Sequence, residues 1–239
     1  MSHSQTDDLP HAAIEDEEHE HHPMLAHHFD TMDQQYASAK LGMWLFLATE
    51  ILLFSGLFLA YGVFRSFHPE LFNNASRLLD LRAGALNTGV LILSSLTMAL
   101  AVRAAQTGNL KQLRLQLVLT IALAGVFMVV KYFEYSHKIH LGFLPGMFFK
   151  PEHVQGSEAA FAVADNARIF MSCYFMMTGL HGFHVLAGMF VLGWVLWLST
   201  KRTFNSEYYT PVETVGLYWH IVDLIWIYLF PMLYLIDRT

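Results

Sequence analysis

An apolar stretch near the N-terminus constrains this chain most. The 24 residues between Lys40 and Arg65 contain one acidic or basic side chain, that of Glu50. As a helix at 1.5 Å per residue the stretch would be about 36 Å long, enough to cross the ~30 Å hydrocarbon layer of a bilayer. A carboxylate at that depth costs about 2.5–3.5 kcal/mol on insertion scales, so Glu50 is expected to face protein or water. The stretch therefore predicts a membrane protein with a special carboxyl group.

Small residues follow one stripe of this predicted helix, about a quarter turn from Glu50 on a helical wheel. They are Gly42, Thr49, Gly56 and Ala60. Small side chains let a second helix approach closely in lipid, so Glu50 is predicted to lie at the margin of a helix–helix contact. Two roles for Glu50 remain open. It could carry protons or bind a lipid headgroup or cation, or it could be a hydrogen-bonded carboxyl that braces two helices.

Four further apolar segments have the length of membrane spans. With the first, the predicted helices run from about Lys40 to Arg65, Ala83 to Ala104, Arg114 to Tyr135, Arg168 to Thr200 and Val212 to Ile236. No internal repeat is evident. We therefore predict an all-α fold, a polytopic membrane bundle of five transmembrane helices in one domain, residues 40–239.

Residues 1–39 have a different composition. This segment carries acidic and His clusters without apolar periodicity, so it is predicted to be a disordered tail. Its clustered imidazoles could bind a metal loosely, and that alternative stays open; they are His19, His21, His22, His27 and His28. The tail lacks an apolar segment of the kind that secretory signals need, so the first span is expected to direct insertion.

Several polar side chains fall inside the other predicted spans, where each is a functional candidate by default. We expect them to form a structural polar network within the membrane: Asn87, Lys131, Glu134, His181, His184, His220 and Asp223. Lys131 and Glu134 stand three residues apart, so the pair can neutralise itself, and both are near enough to a helix end to snorkel. His220 and Asp223 have the same spacing, and an ion pair between them would offset their burial cost.

The deep His residues could instead ligate haem or a metal. His181 and His184 share a helix face, and His220 is the third deep imidazole. Three such ligands do not make two bis-His haem sites, and hydrogen bonding to neighbouring helices is the simpler interpretation. Neither a phosphate-binding Gly-rich loop nor a Ser–His–Asp arrangement is suggested by the spacing. We therefore expect no active site in this chain.

Composition excludes some other classes of protein and of site. Charged residues are 14% of the 239 residues, and no basic stripe suggests nucleic-acid binding. The lone Cys173 excludes an intrachain disulfide and any CxxC metal site. Lys and Arg are densest in the short connections after the second and fourth spans, which favours a cytoplasmic N-terminus and a periplasmic C-terminus.

Five short strings resemble one family in the family's own order. Gly42-Met43-Trp44-Leu45-Phe46-Leu47-Ala48-Thr49-Glu50 is similar to the Glu-bearing helix of subunit III of the haem–copper cytochrome c oxidases. Leu86-Asn87-Thr88 and Phe133-Glu134-Tyr135 resemble the signatures of its next two helices. The strings Thr178 to Val185 and Tyr218 to Trp226 are similar to its last two helices. The resemblance covers roughly Lys40 to Ile236.

The resemblance implies a cofactor-free subunit of a bacterial respiratory oxidase in the inner membrane. Haem and copper would belong to partner subunits I and II, which carry out electron transfer, oxygen reduction and proton pumping. The third subunit of this family packs beside subunit I, holds phospholipids, sustains proton uptake and turnover, and can join larger respiratory supercomplexes. By motif match, Glu50 corresponds to the family carboxyl that reacts with carbodiimides.

Two departures from the family pattern matter. The mitochondrial form has seven helices and this chain has five, lacking the first two; Lys131 stands where the family often has Gln. Three other functions stay open. They are an accessory subunit of a quinol oxidase or nitric oxide reductase, an independent proton or cation transporter using Glu50, Glu134 and Asp223, and a haem-b anchor for quinone binding.

Overall fold

The computed structural model describes residues 25–145, 148, 167–201, 204 and 208–236. These ranges contain six α-helices: α1 Met32–Phe67, α2 Pro69–Ser76, α3 Leu81–Gln106, α4 Leu110–His140, α5 Arg168–Thr200 and α6 Thr210–Tyr234. All except the short α2 are long and apolar enough to cross a membrane. The predicted all-α bundle with five membrane spans is confirmed.

The first span begins eight residues earlier than its sequence predicted. The Thr31 hydroxyl accepts a hydrogen bond from the Gln34 amide, and Asp33 lies in the first turn of α1. Both features stabilise a helix N-terminus. Residues 32–39, which the sequence placed in the tail, therefore belong to the helix, and the division of the chain into a tail and a transmembrane domain stays a prediction. The predicted disorder of residues 1–24, with His19, His21 and His22, falls outside the described residues.

Local capping also lengthens the third predicted span. The Asn109 side chain accepts a hydrogen bond from the Gln112 amide, so α4 starts at Leu110. At its other end the helix continues to His140. Gly108, with φ +69°, makes the tight turn from α3. The extra turns at the end of α4 place His137 and Lys138 inside the helix rather than in the following connection.

Helix α2 was not predicted. Pro69 fits its first turn, where no backbone N–H is needed, and its apolar face buries Phe72 and Ala75. The Phe72 ring packs edge-on against Phe170 of α5 at 5.5 Å and Tyr61 of α1 at 5.2 Å. This short helix thus closes one end of the bundle between α1 and α5.

The bundle is organised around α6. Helices α3 and α4 form a hairpin, α6 packs against α3, α5 and α1, and α4 packs against α5. Large aromatic side chains of α6 fill the core, notably the fully buried Trp219 and Trp226. Only 11% of the residues in the 18-residue apolar stretch of α1 are buried within the bundle. This share is smaller than in the other four spans, so α1 is the most exposed of the five.

Glycines set the spacing of the helices at three contacts. A Cβ atom at Gly188 of α5 would lie 2.7 Å from Trp219, and one at Gly84 of α3 would lie 2.9 Å from Tyr234. A Cβ at Gly216 would lie 2.9 Å from Val102. Such distances are too short for carbon atoms, so these positions require glycine for the observed packing.

Candidate functional site

Glu50 of α1 is paired with a histidine of α5. Its Oε2 atom lies 2.8 Å from His184 Nε2, and the opposite ring nitrogen, Nδ1, lies 2.8 Å from the backbone oxygen of Leu180. A carbonyl oxygen only accepts, so Nδ1 carries a hydrogen and donates it. His184 Nε2 then either accepts from a protonated Glu50 or donates to its carboxylate. In both states the pair shares one proton and has no net charge.

Aromatic groups enclose this pair. The Phe54 ring contacts the His184 ring edge-on at 5.3 Å, and the Tyr218 hydroxyl of α6 donates to the His184 backbone oxygen at 3.0 Å. The side chains of Glu50 and His184 are 14% and 11% exposed. The pair therefore lies just beneath the surface of the bundle, where α1 meets α5.

The small-residue stripe makes no close helix contact among the described residues. Gly42, Thr49, Gly56 and Ala60 are all exposed, and no described atom lies within 4 Å of a Cβ built on either glycine. The contact with α5 uses Glu50 and buried Phe54 instead. Close helix packing on the stripe stays a prediction, now for a helix of another chain.

A charged cluster lies at the carboxyl end of α4. Lys131 donates to Glu134 Oε2 at 2.9 Å and to the hydroxyls of Tyr174 at 3.2 Å and Tyr234 at 3.0 Å. Glu134 Oε1 accepts from Lys138 at 3.2 Å, Tyr174 at 2.9 Å and Tyr234 at 2.7 Å. This α4 cluster, comprising Lys131, Glu134, Lys138, Tyr174 and Tyr234, joins α4 to α5 and α6.

The α4 cluster is more buried and larger than the predicted pair. Lys131 and Glu134 do form the expected ion pair, but their side chains are only 8% and 4% exposed and do not snorkel. The Lys131 ammonium also faces the rings of Trp226 at 4.9 Å and Tyr135 at 5.5 Å. Sequence reasoning missed Lys138, although its spacing of four residues from Glu134 indicates the same helix face.

The predicted His220–Asp223 ion pair does not form. His220 Nδ1 lies 2.7 Å from the Ser95 hydroxyl of α3. Neither carboxyl oxygen of the buried Asp223 has a hydrogen-bond partner of ordinary geometry among the described residues, although Ser95 is nearby. The α3–α6 contact, rather than spacing along α6, decides the partner of His220. The same contact includes the indole N–H of Trp219, which donates to Ser94 at 3.0 Å.

Asn87 and His181 are completely buried without a hydrogen-bonding partner in the described part of the chain. The His181 ring instead packs against Phe127 at 5.5 Å and Trp226 at 5.2 Å. The seven residues predicted as one polar network are therefore separated into a Glu50–His184 contact, the α4 cluster, a His220–Ser95 contact and three unpaired groups.

Two of the three deep imidazoles have hydrogen-bonding partners. His184 uses one ring nitrogen for Glu50 and the other for the backbone oxygen of Leu180, and His220 contacts Ser95. In the described ranges, no three His, Cys, Asp or Glu side chains are grouped to hold a metal ion.

The sequence matches proteins of one family over most of its length. The family model described as cytochrome c oxidase subunit III matches residues 138–237. Cytochrome c oxidase subunit 3 of Thermostichus vulcanus is 31% identical over 199 residues, covering 83% of this chain and 87% of that protein. The Synechocystis protein of the same name is 30% identical over 82% of this chain and 74% of its own length. Quinol oxidase subunit 3 of Bacillus subtilis is 28% identical over 82% of this chain and 85% of its own length.

Proposed function

We propose that this chain, which belongs to the cytochrome c oxidase subunit III family, is the non-catalytic third subunit of a bacterial cytochrome c oxidase. The observation that carries the proposal is similarity over 83% of the chain to a cytochrome c oxidase subunit 3. The five membrane spans and the five strings in family order support it.

In this proposal the redox chemistry belongs to the partner subunits. Subunits I and II would hold the haem and copper, oxidise cytochrome c, reduce oxygen and pump protons. The occupied ring nitrogens of His184 and the packing of His181 between aromatic rings support a structural role for the imidazoles of this chain. The chain would stabilise subunit I and bind phospholipid at its apolar surface.

We assign Glu50 a role in proton uptake or lipid contact at the margin of that surface. Support comes from the proton that Glu50 shares with His184 and from the partial exposure of both side chains. The face of α1 opposite Glu50 carries exposed apolar side chains, including Leu45, Leu52 and Leu59. Such a surface suits subunit I or lipid acyl chains as its neighbour.

A quinol oxidase is the second candidate. The 28% identity to a Bacillus subtilis quinol oxidase subunit 3, over 85% of that protein, favours it. The resemblance of the string Gly42 to Glu50 to the Glu-bearing helix of cytochrome c oxidase subunit III favours the first candidate. For both candidates we propose the bacterial inner membrane, with a cytoplasmic N-terminus and a periplasmic C-terminus.

Purification in a gentle detergent tests the proposal. The tagged chain, expressed in its own organism, is expected to copurify with haem–copper subunits I and II. The complex should consume oxygen with reduced cytochrome c and not with a quinol; the reverse preference would establish the second candidate. Recovery of the chain alone as a stable protein, without oxidase subunits, would contradict both.

A further inference from the structure

The Lys131 ammonium is surrounded by aromatic rings. It lies 4.9 Å from the ring centroid of Trp226, 5.2 Å from that of Tyr174, 5.5 Å from that of Tyr135 and 5.7 Å from that of Tyr234. A cation within about 6 Å of a ring centroid is attracted to the ring, most strongly where water is excluded. The Lys131 side chain is only 8% exposed, so water screens these contacts little. These four rings are the ammonium cage of the chain.

Hydrogen bonds use every donor of the same ammonium group. Lys131 Nζ donates to Glu134 Oε2 at 2.9 Å, and to the hydroxyls of Tyr174 and Tyr234 at 3.2 Å and 3.0 Å. A lysine ammonium has three donors, and all three therefore have acceptors. The cage recognises a primary ammonium in two ways, since the rings attract its charge and the three oxygens accept its hydrogens.

Two walls of the cage are fixed by Glu134. The Tyr174 and Tyr234 hydroxyls both donate to Glu134 Oε1, at 2.9 Å and 2.7 Å. Lys138 contacts the same oxygen at 3.2 Å, whereas Lys131 uses the other oxygen, Oε2. Glu134 would therefore keep a cationic partner and both tyrosines if the Lys131 ammonium were removed.

The other two walls are fixed by hydroxyl groups of α3 and α5. The Trp226 indole N–H donates to Thr88 at 3.1 Å, and the hydroxyls of Tyr135 and Thr178 are hydrogen-bonded at 2.5 Å. Every ring of the cage thus has an attachment that does not involve Lys131. A site that is already formed before its ligand arrives binds more tightly, because little ordering is required.

A groove leads from the surface of the bundle to the cage. This α4–α5 groove has a volume of about 300 Å³ and reaches Lys131 beside Tyr135. Its outer part is lined by the exposed side chains of Tyr132 and Phe183, and Gly179 of α5 lines it without a side chain. A small amine therefore has a route to the cage that does not require the helices to separate.

We infer that the ammonium cage and Glu134 form a binding site for a primary alkylammonium ion, which in this chain is filled by the side chain of Lys131 itself. The bound cation ties α4 to α5 and α6. Lys131→Ala removes three carbons and the ammonium group, which are the atoms of n-propylammonium. In that variant the site should bind the free ion. The inference rests on the contacts of Lys131 and does not depend on the identity of the oxidase.

Chemical rescue tests the inference on the purified complex, or on the full chain if no oxidase subunits copurify. Lys131→Ala leaves Lys138 paired with Glu134, so it is expected to fold with a lowered melting temperature. A ligand of the native state stabilises it, so n-propylammonium chloride should raise this temperature relative to equal sodium chloride. If the variant is lost during purification, propylammonium in the buffers should restore its recovery. Tetramethylammonium has no N–H donor and should have a clearly smaller effect.

Three controls define the site. Lys131→Met fills the same space with an apolar side chain, so propylammonium should leave its melting temperature unchanged. Lys138→Ala removes the second ammonium of the α4 cluster, which faces the Tyr174 ring at 5.2 Å and lies outside the cage, and it should show no rescue. The wild-type protein, whose site is filled, should not respond either.

An unchanged melting temperature and unchanged recovery of Lys131→Ala in propylammonium would overturn the inference. An equal rise in Lys138→Ala or in the wild-type protein would do so as well, because the amine would then act as a general stabiliser. Equal rescue by tetramethylammonium would contradict the primary-ammonium class, since the three oxygens would then contribute nothing to recognition.

Discussion

His184 Nε2 of α5 lies 2.8 Å from Glu50 Oε2 of α1, across 134 positions of sequence. Because His184 Nδ1 donates to a backbone oxygen, the two side chains hold one shared proton between them. The contact gives a carboxyl at membrane depth a partner without introducing net charge.

Glu50 should be the carboxyl of this chain that carbodiimides label. These reagents modify carboxyls in apolar surroundings, and the Glu50 side chain is largely enclosed between α1 and α5. In Glu50→Gln, labelling of the chain should be lost while the subunits still assemble, since Gln keeps the shape and can hydrogen-bond His184. Oxygen consumption at saturating donor should fall modestly or not at all. Complete loss of oxidase activity in correctly assembled complex would place Glu50 in the catalytic machinery and contradict the proposed role.

The hydrogen bond between Glu50 and His184 should be measurable as a coupling energy. A double-mutant cycle with Glu50→Ala and His184→Ala is expected to give about 1–3 kcal/mol, measured by unfolding in SDS. A cycle combining Glu50→Ala with His220→Ala serves as the control, because His220 contacts Ser95 instead. Its two effects should add to within about 0.5 kcal/mol. Additive effects in the Glu50–His184 cycle would mean that the pair does not interact.

The α4 cluster should respond asymmetrically to loss of charge. Glu134→Gln leaves two buried ammonium groups without a carboxylate, a loss of about 3–5 kcal/mol of stability. Lys131→Met leaves Lys138 paired one to one with Glu134, so its loss should be smaller. Thermal melting of the detergent-solubilised protein measures both. Equal destabilisation by the two variants would show that charge balance does not decide the stability of the cluster.

Gly188 should tolerate no side chain. Its added Cβ would meet Trp219 at 2.7 Å, so Gly188→Ala should separate α5 from α6 and cost about 1–3 kcal/mol. Gly193→Ala in the same helix is the matched control, since its Cβ would have no neighbour within 4 Å in the part of the chain that the structure describes. It should be neutral or stabilise the helix by up to about 1 kcal/mol. Unfolding free energies of the two variants give the comparison.

The exposed stripe on α1 should matter for assembly rather than for folding. Gly56→Leu fills the stripe and is expected to lower the amount of subunit I recovered with this chain, while thermal stability of the chain itself stays unchanged. Gly62→Leu introduces the same side chain on another exposed face of α1, where no atom of the described residues lies within 4 Å of the added Cβ. It should leave recovery unaffected. Normal subunit stoichiometry in Gly56→Leu would refute the assignment of this face.

The sequence by itself determined the class of fold, the number of spans and the family. Span length and hydropathy are local properties, since roughly twenty apolar residues must form a helix in lipid whatever they later pack against. The ordered strings from Gly42 to Trp226 identify the family for the same reason, because they can be read without knowing any contact. The residues that cap a helix are harder to recognise in a sequence than an apolar span is. The start of α1 at Met32 and the existence of α2 were therefore not predicted.

Only the tertiary structure decided the partners of the buried polar groups. Glu134 bonds Tyr234 across 100 positions, and His220 bonds Ser95 across 125, in place of the neighbour Asp223 that its spacing suggested. Such pairings depend on the rotation and axial position of one helix against the next. Those are fixed by side-chain packing between distant segments, such as Gly188 against Trp219, and a helical wheel contains no information about them.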